Sequence, residues 1–289
     1  MNHLDLVKLS ALMELTSGRP EVTVGLLDGP VATNHPDLAS EHIRELPGSI
    51  DGTCTQTKSV ACAHGTFVAG ILSAKRGSVA PSICPRCTLL VRPIFAETPS
   101  GSGQMPSTTP EDLAVAIIES IDGGARVINM SLGLAQPSSS DQHRLEEALH
   151  YAARHSVIIV AAAGNQGTLC SSAITRHPWV IPVVACDLQS RPMNLSNLGS
   201  SIGKRGLSAP GDDVTSLGTE GKSVTSGGTS VAAPFVTGTI ALLWSEFPAV
   251  TAGEIRFAVT STSMQRRTSV VPPVLDAWAA YQILAKAHI

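Results

Sequence analysis

Thr225-Ser226-Gly227-Gly228-Thr229-Ser230-Val231-Ala232-Ala233-Pro234 runs directly into an apolar segment, 236–244. Two glycines before a hydroxyl residue predict a tight turn, and the residues after it predict a buried helix. A serine at that junction stands at a helix N-terminus, where unpaired backbone N–H groups and the helix dipole favour negative charge. Such a place suits a nucleophile that attacks a carbonyl, because the tetrahedral intermediate carries an oxyanion. It also suits a plain N-cap, the commonest role of Ser and Thr there. Pro234 fits the cap poorly, since one turn into a helix it removes a hydrogen bond. A nucleophile further needs a base and a group to orient that base.

Outward from this stretch, strand-like and helix-like segments alternate. A helical spacing covers 4–15, and an apolar strand over 21–27 stops at Asp28-Gly29-Pro30. A polar, turn-rich loop over 48–61 precedes His64-Gly65-Thr66-Phe67-Val68-Ala69-Gly70, which reads as the opening of a buried helix. Strands are predicted at 88–95, 126–130, 157–161 and 180–186, with a further short one at 206–209. Helices are predicted at 110–122 and 141–154, and then at 229–247, 251–261 and 275–286. The 126–130 strand leads into Ser131-Leu132-Gly133, and the 157–161 strand into Ala162-Ala163-Gly164-Asn165. This alternation predicts an α/β fold: a doubly wound, mainly parallel sheet flanked by helices. No repeat or long linker divides the chain, so residues 1–289 are expected to form one domain. Its core would span about 20–262, with the terminal helices packed on it.

Composition agrees with a globular chain, 43% hydrophobic and 15% charged over 289 residues. A net charge of −3 offers no basic footprint for nucleic acid. No apolar run is long enough to span a bilayer, and residues 1–8 lack the layout of a secretory signal, so a cytoplasmic protein is expected. Six cysteines are present: Cys54, Cys62, Cys84, Cys87, Cys170 and Cys186. The first four could make a zinc site, but no second Cys-x-x-Cys matches Cys84-Pro85-Arg86-Cys87, so a local disulfide or free thiols are preferred.

Asp28, His64 and Ser230 each stand in a small-residue motif beside a predicted sheet end or helix start. They supply what a serine hydrolase needs: a carboxylate to orient an imidazole, the imidazole as base, and a hydroxyl nucleophile. The order Asp, His, Ser along the chain is that of subtilisin rather than chymotrypsin. With the blocks 24–28, 64–70, 160–165 and 228–234, the chain resembles the subtilisin-like serine proteases over roughly residues 20–262. The resemblance implies a three-layer subtilisin-like fold and a catalytic Asp28, His64 and Ser230. It also implies Asn165 as the oxyanion-hole amide. Ser131, Leu132 and Gly133 would form the segment that pairs with substrate backbone, with Gly164 and Thr229 also contacting substrate, a peptide held as an extended strand.

Two blocks depart from the family pattern. Asp28-Gly29-Pro30 stands where Asp-(Ser/Thr)-Gly is usual, which removes a hydroxyl near the aspartate, and the paired Gly227-Gly228 would loosen the serine turn. The family's calcium ligands find no match, so no cofactor and no metal site are expected, with a structural calcium left as an open alternative that no residues support. Together with the 83–95 segment, the Asp-Gly-Pro variant looks most like the N-terminal leader proteases of cyanobactin biosynthesis. These trim a ribosomal precursor peptide. The same triad would serve a macrocyclase, in which an amine replaces water, and the same groove a peptide-binding module without turnover. The intact triad and Asn165 favour an enzyme, and the lack of an added helical pair between His64 and Ser230 favours hydrolysis.

Overall fold

The strand-forming runs are almost wholly apolar, which suits strands covered on both faces. In the computed structural model, residues 2–48, 50–97, 107–132, 141–262 and 268–288 are described. The chain opens with α1 (His3–Leu6), α2 (Leu9–Leu15), β1 (Thr23–Leu27), β2 (Ile43–Glu45), α3 (Val60–Ser73), β3 (Thr88–Val91) and α4 (Pro110–Asp122). It continues with β4 (Val127–Met130), α5 (Asp141–Arg154), β5 (Ile158–Ala162), α6 (Ala173–Arg176), β6 (Val180–Cys186), α7 (Ser200–Arg205) and β7 (Leu207–Pro210). A hairpin of β8 (Val214–Leu217) and β9 (Ser223–Ser226) leads to α8 (Thr229–Glu246), α9 (Ala252–Thr260) and α10 (Ala277–Ala287).

Seven strands form one sheet in the order β2-β3-β1-β4-β5-β6-β7, every pair parallel. This is the α/β, doubly wound arrangement expected. Alternate residues of each strand serve opposite faces, as the two-residue period requires. Val24, Leu26, Val127, Ile158 and Val160 join a core with α3 and α8, around Phe235, Ile240 and Trp244. Leu27, Ile128 and Ile159 join a second core with α4 and α5, around Ile117, Leu145 and Leu149. The chain fills β2 and β3 on one side of β1 before crossing to β4 on the other. In open sheets of this kind, ligands bind beyond the strands' C-terminal ends at such a reversal. Asp28 follows the end of β1, Ser131 the end of β4, and Asn165 lies three residues beyond β5.

Several expectations are corrected. The single helix predicted over 4–15 is two, broken at Val7 and Lys8. Lys8 takes a left-handed φ of 52°, and the buried Val7 accepts from Ala277 N at 2.9 Å, which docks α10. His64 does not open its helix: α3 starts at Val60, so the histidine lies in its second turn. Strand β3 ends at Val91 instead of running to 95, because Pro93 has no N–H to extend the ladder. The short β2, β8 and β9 were not foreseen. No helix among the described residues is long and apolar enough to cross a membrane.

Candidate active site

Strand β1 delivers Asp28 into a fully buried position. Its Oδ1 accepts from His64 Nδ1 at 2.7 Å and from the Gly29 N–H at 2.7 Å. A carboxylate can only accept, so Nδ1 of His64 carries the hydrogen and the neutral ring presents Nε2 as an acceptor. Ser230 Oγ lies 3.0 Å from that Nε2. The three side chains therefore form one continuous hydrogen-bonded line from buried carboxylate to hydroxyl. Burial works against protonation of His64, but the charge of Asp28 and the hydrogen bond to it outweigh that. The imidazole pKa ends above the ordinary histidine value.

The Asp-Gly-Pro departure has a steric cause. A Cβ at Gly29 would lie 2.1 Å from the carbonyl oxygen of Ala61, and one at Gly65 would lie 2.3 Å from the carbonyl oxygen of Gly29. Helix α3 and the turn after Asp28 thus meet backbone to backbone, which leaves no room for serine or threonine at position 29. The second carboxylate oxygen, Oδ2 of Asp28, is buried without a hydrogen-bond partner. That orphan is what a missing neighbouring hydroxyl would leave behind.

The paired glycines do not loosen the serine turn, as the sequence suggested they would. Gly228 has φ 127° and donates its N–H to Gly211 O at 2.7 Å. A Cβ at Gly227 would sit 2.8 Å from the same Gly211 oxygen. Both glycines are needed for the turn to press against Gly211, and the hydrogen bond pins it there.

Asn165 is exposed, and its Oδ1 accepts from both the N–H and the hydroxyl of Thr229, each at 2.9 Å. This fixes the amide with Nδ2 as its remaining donor. The N–H of Ser230 lies in the first turn of α8, where amides have no intrahelical acceptor. These two donors suit a developing oxyanion. Thr229 itself is fully buried, and Gly164 N donates to its hydroxyl at 3.2 Å. It braces Asn165 and does not face a substrate, which corrects its expected role. Gly164 is buried at φ 103°, where a Cβ would meet Asn197 Nδ2 at 2.3 Å. Ser131 and Leu132 are 4% and 5% exposed, and the Ser131 hydroxyl is turned inward onto the Ser230 carbonyl. Gly133 lies outside the described residues.

Cys54 and Cys62 form a disulfide that ties the loop after Asp28 to the first turn of α3. Cys84 and Cys87 are buried free thiols, so the four cysteines do not gather on one centre. Cys54, Cys62 and Glu97 are close enough to hold an ion, but joined sulfurs have no thiolate to give. Sequence reasoning missed Asn129 and Thr237, both fully buried behind Ser230. The signal for the first was a polar residue inside an otherwise apolar strand.

Comparison with known proteins agrees with this geometry. The family model described as "Subtilase family" matches residues 19–277. A thermophilic serine proteinase of Bacillus sp. (strain AK1) is 32% identical over 81% of the chain. A thermostable alkaline protease of Halalkalibacterium halodurans is 31% identical over 83%. The chain spans 54% and 61% of the lengths of these two relatives. Among solved structures, the prenylagaramide maturation protease PagA superposes with a TM-score of 0.81 at 28% identity, covering 96% of this chain and 98% of that one. The patellamide maturation protease PatA gives 0.75 at 29% identity, covering 93% and 98%. The PatG macrocyclase shares the fold, with a TM-score of 0.82 at 20% identity over 98% of each chain.

Proposed function

We propose that the chain, which belongs to the subtilase family, is a serine endopeptidase that trims a precursor peptide through an acyl-enzyme on Ser230. The observation that carries this reading is the unbroken line from Asp28 through His64 to Ser230, with links of 2.7 and 3.0 Å. In this reading Ser230 Oγ attacks the scissile carbonyl as its proton passes to His64 Nε2. Asp28 stabilises the imidazolium that forms and holds the ring in its reactive tautomer. Asn165 Nδ2 and the Ser230 N–H take up the oxyanion, aided by the positive end of the α8 dipole. His64 then returns the proton to the leaving amine, and water repeats the sequence to release the acid. Each of these catalytic groups is a side chain or backbone atom of this chain.

The peptide would lie as an extended strand against residues 131–132. A precursor peptide as substrate is supported by PagA and PatA, both described as maturation proteases and both alike over more than nine-tenths of this chain. A cytoplasmic site of action belongs to the same proposal. Disulfides persist mainly in oxidising compartments, so the Cys54–Cys62 bridge bears on it directly. Thiol trapping in intact cells decides: a reduced pair supports the cytoplasm, an intact bridge opposes it. The activity is tested by incubating the protein with a peptide carrying a leader segment and weighing the products. Two linear fragments support hydrolysis; a cyclic product would move the assignment to transpeptidation, and intact peptide to a module without turnover.

A further inference from the structure

Pro234 lies four residues after Ser230 within α8. In a helix the carbonyl of residue i accepts from the N–H of residue i+4, and proline has none. The carbonyl of the nucleophile is therefore left without its helical donor. Ser131, at the end of β4, donates its hydroxyl into that carbonyl at 3.0 Å. Behind it, Asn129 Nδ2 donates to Ser131 Oγ at 2.7 Å, and Thr237 Oγ1 donates to Asn129 Oδ1 at 2.8 Å. Asn129 and Thr237 are fully buried and Ser131 is 4% exposed, so water does not substitute for any link.

The direction of this chain follows from its ends. Ser230 O can only accept, so the Ser131 hydroxyl spends its hydrogen there and must accept from Asn129. The amide of Asn129 then faces Ser131 with its NH₂ and turns its oxygen to Thr237, which must donate. Reversing the amide would turn Ser131 round and leave the Ser230 carbonyl unpaired. The Thr237 hydroxyl also has Ala233 O within reach at 3.2 Å, and by giving its one hydrogen to the nearer Asn129 Oδ1 it holds Asn129 in the orientation that the Ser230 carbonyl requires. Thr237 lies seven residues beyond Ser230, about 10 Å along the helix, and its hydroxyl bonds to Asn129 and Ala233 rather than to a triad side chain.

We infer that Thr237, acting through Asn129 and Ser131, is a positioning residue that holds the main chain of the nucleophile at the carbonyl Pro234 releases. This rests on Ser230 being the nucleophile, as proposed above. It also joins the nucleophile to the segment a peptide would pair with, because Ser131 belongs to both.

The test compares Thr237→Val, which keeps the shape and loses the hydroxyl, with Thr237→Ser, which keeps the hydroxyl. Both are measured for kcat, KM, fluorophosphonate labelling rate and Tm. A buried hydrogen bond lost at this point is expected to lower kcat and the labelling rate about tenfold in Thr237→Val. KM should stay within about twofold, and Thr237→Ser should restore the rate. In a Pro234→Ala background, residue 234 gains an N–H for the Ser230 carbonyl, and the effect of Thr237→Val should shrink to less than about threefold. A packing role alone would lower Tm but would not depend on Pro234. Should Thr237→Val fail to fold, Ser131→Ala carries the test: about the same loss of kcat, and the same relief by Pro234→Ala. A folded Thr237→Val with the wild-type rate overturns the inference, as does an undiminished loss in the Pro234→Ala background. Wild type that is not labelled at all would overturn the proposed function first, and this inference with it.

Discussion

Restoring a hydroxyl beside Asp28 is the obvious way to bring this chain closer to the usual Asp-(Ser/Thr)-Gly pattern, and the structure predicts that it does harm. In Gly29→Ser the new Cβ would lie 2.1 Å from Ala61 O, and contacts under 3.0 Å do not occur in real proteins. The turn and α3 must therefore open by about 1 Å. Ala61 is three residues before His64 on the same helix, so the displacement is passed to the imidazole. A misplacement of about 1 Å in a catalytic group can cost about 10²-fold in rate. Overpacking of this kind destabilises by roughly 1–3 kcal/mol. Gly29→Ala imposes the same clash without the hydroxyl and separates the two effects. The assay is kcat/KM on a peptide together with Tm for wild type and both variants. Both should lose about two orders of magnitude in kcat/KM, alanine and serine alike. A Gly29→Ser variant as active as wild type, or well above Gly29→Ala, would show that the hydroxyl outweighs the contact and refute the reasoning.

Three further outcomes are expected. Asn165→Ala should lower kcat by about 10²–10³, the cost known for such a donor in subtilisin, with little change in KM; a drop in affinity alone would remove Asn165 from the oxyanion site. Because His64 is held above the ordinary histidine value of 6.5, activity should fall as pH drops through a midpoint above 6.5. The same shift has the opposite sign for stability: it helps the fold below about 6.5 and its contribution fades as pH rises through the folded pKa. A flat pH–rate profile from 5 to 8, with chemistry limiting, would count against His64 as base. Reducing the Cys54–Cys62 bridge, which closes a short loop with a sequence separation of 8, should cost about 2.5 kcal/mol. That is roughly 5–10 °C in Tm, and an unchanged Tm on adding a dithiol would show the bridge to be idle.

The triad was legible in the sequence because each member stands where a regular pattern breaks. Asp28 ends an apolar strand, His64 stands where a polar loop gives way to a small-residue apolar run, and Ser230 comes just after a glycine pair. The sheet was legible because most of its buried strands are nearly unbroken apolar runs. What escaped were features set by contacts between distant segments. The reason for Gly29 is the carbonyl of Ala61, thirty-two positions away, and the reason for Gly227 is the carbonyl of Gly211. Thr229 looked like a substrate contact from its place beside Ser230, but its hydroxyl turns inward to Gly164 and Asn165. Thr237 looked like any small residue of a buried helix until its partner on β4 was known. Strand β2 and the β8–β9 hairpin are three or four residues long and partly exposed, too short for a period to register.

The most direct test of the central claim is labelling of Ser230 by a fluorophosphonate probe, in wild type and in Ser230→Ala. The line from Asp28 to Ser230 predicts stoichiometric labelling of the folded wild type at that serine and none in the variant. Folded wild type that resists the probe, or a variant that still takes it up, would contradict an activated Ser230 and the mechanism built on it.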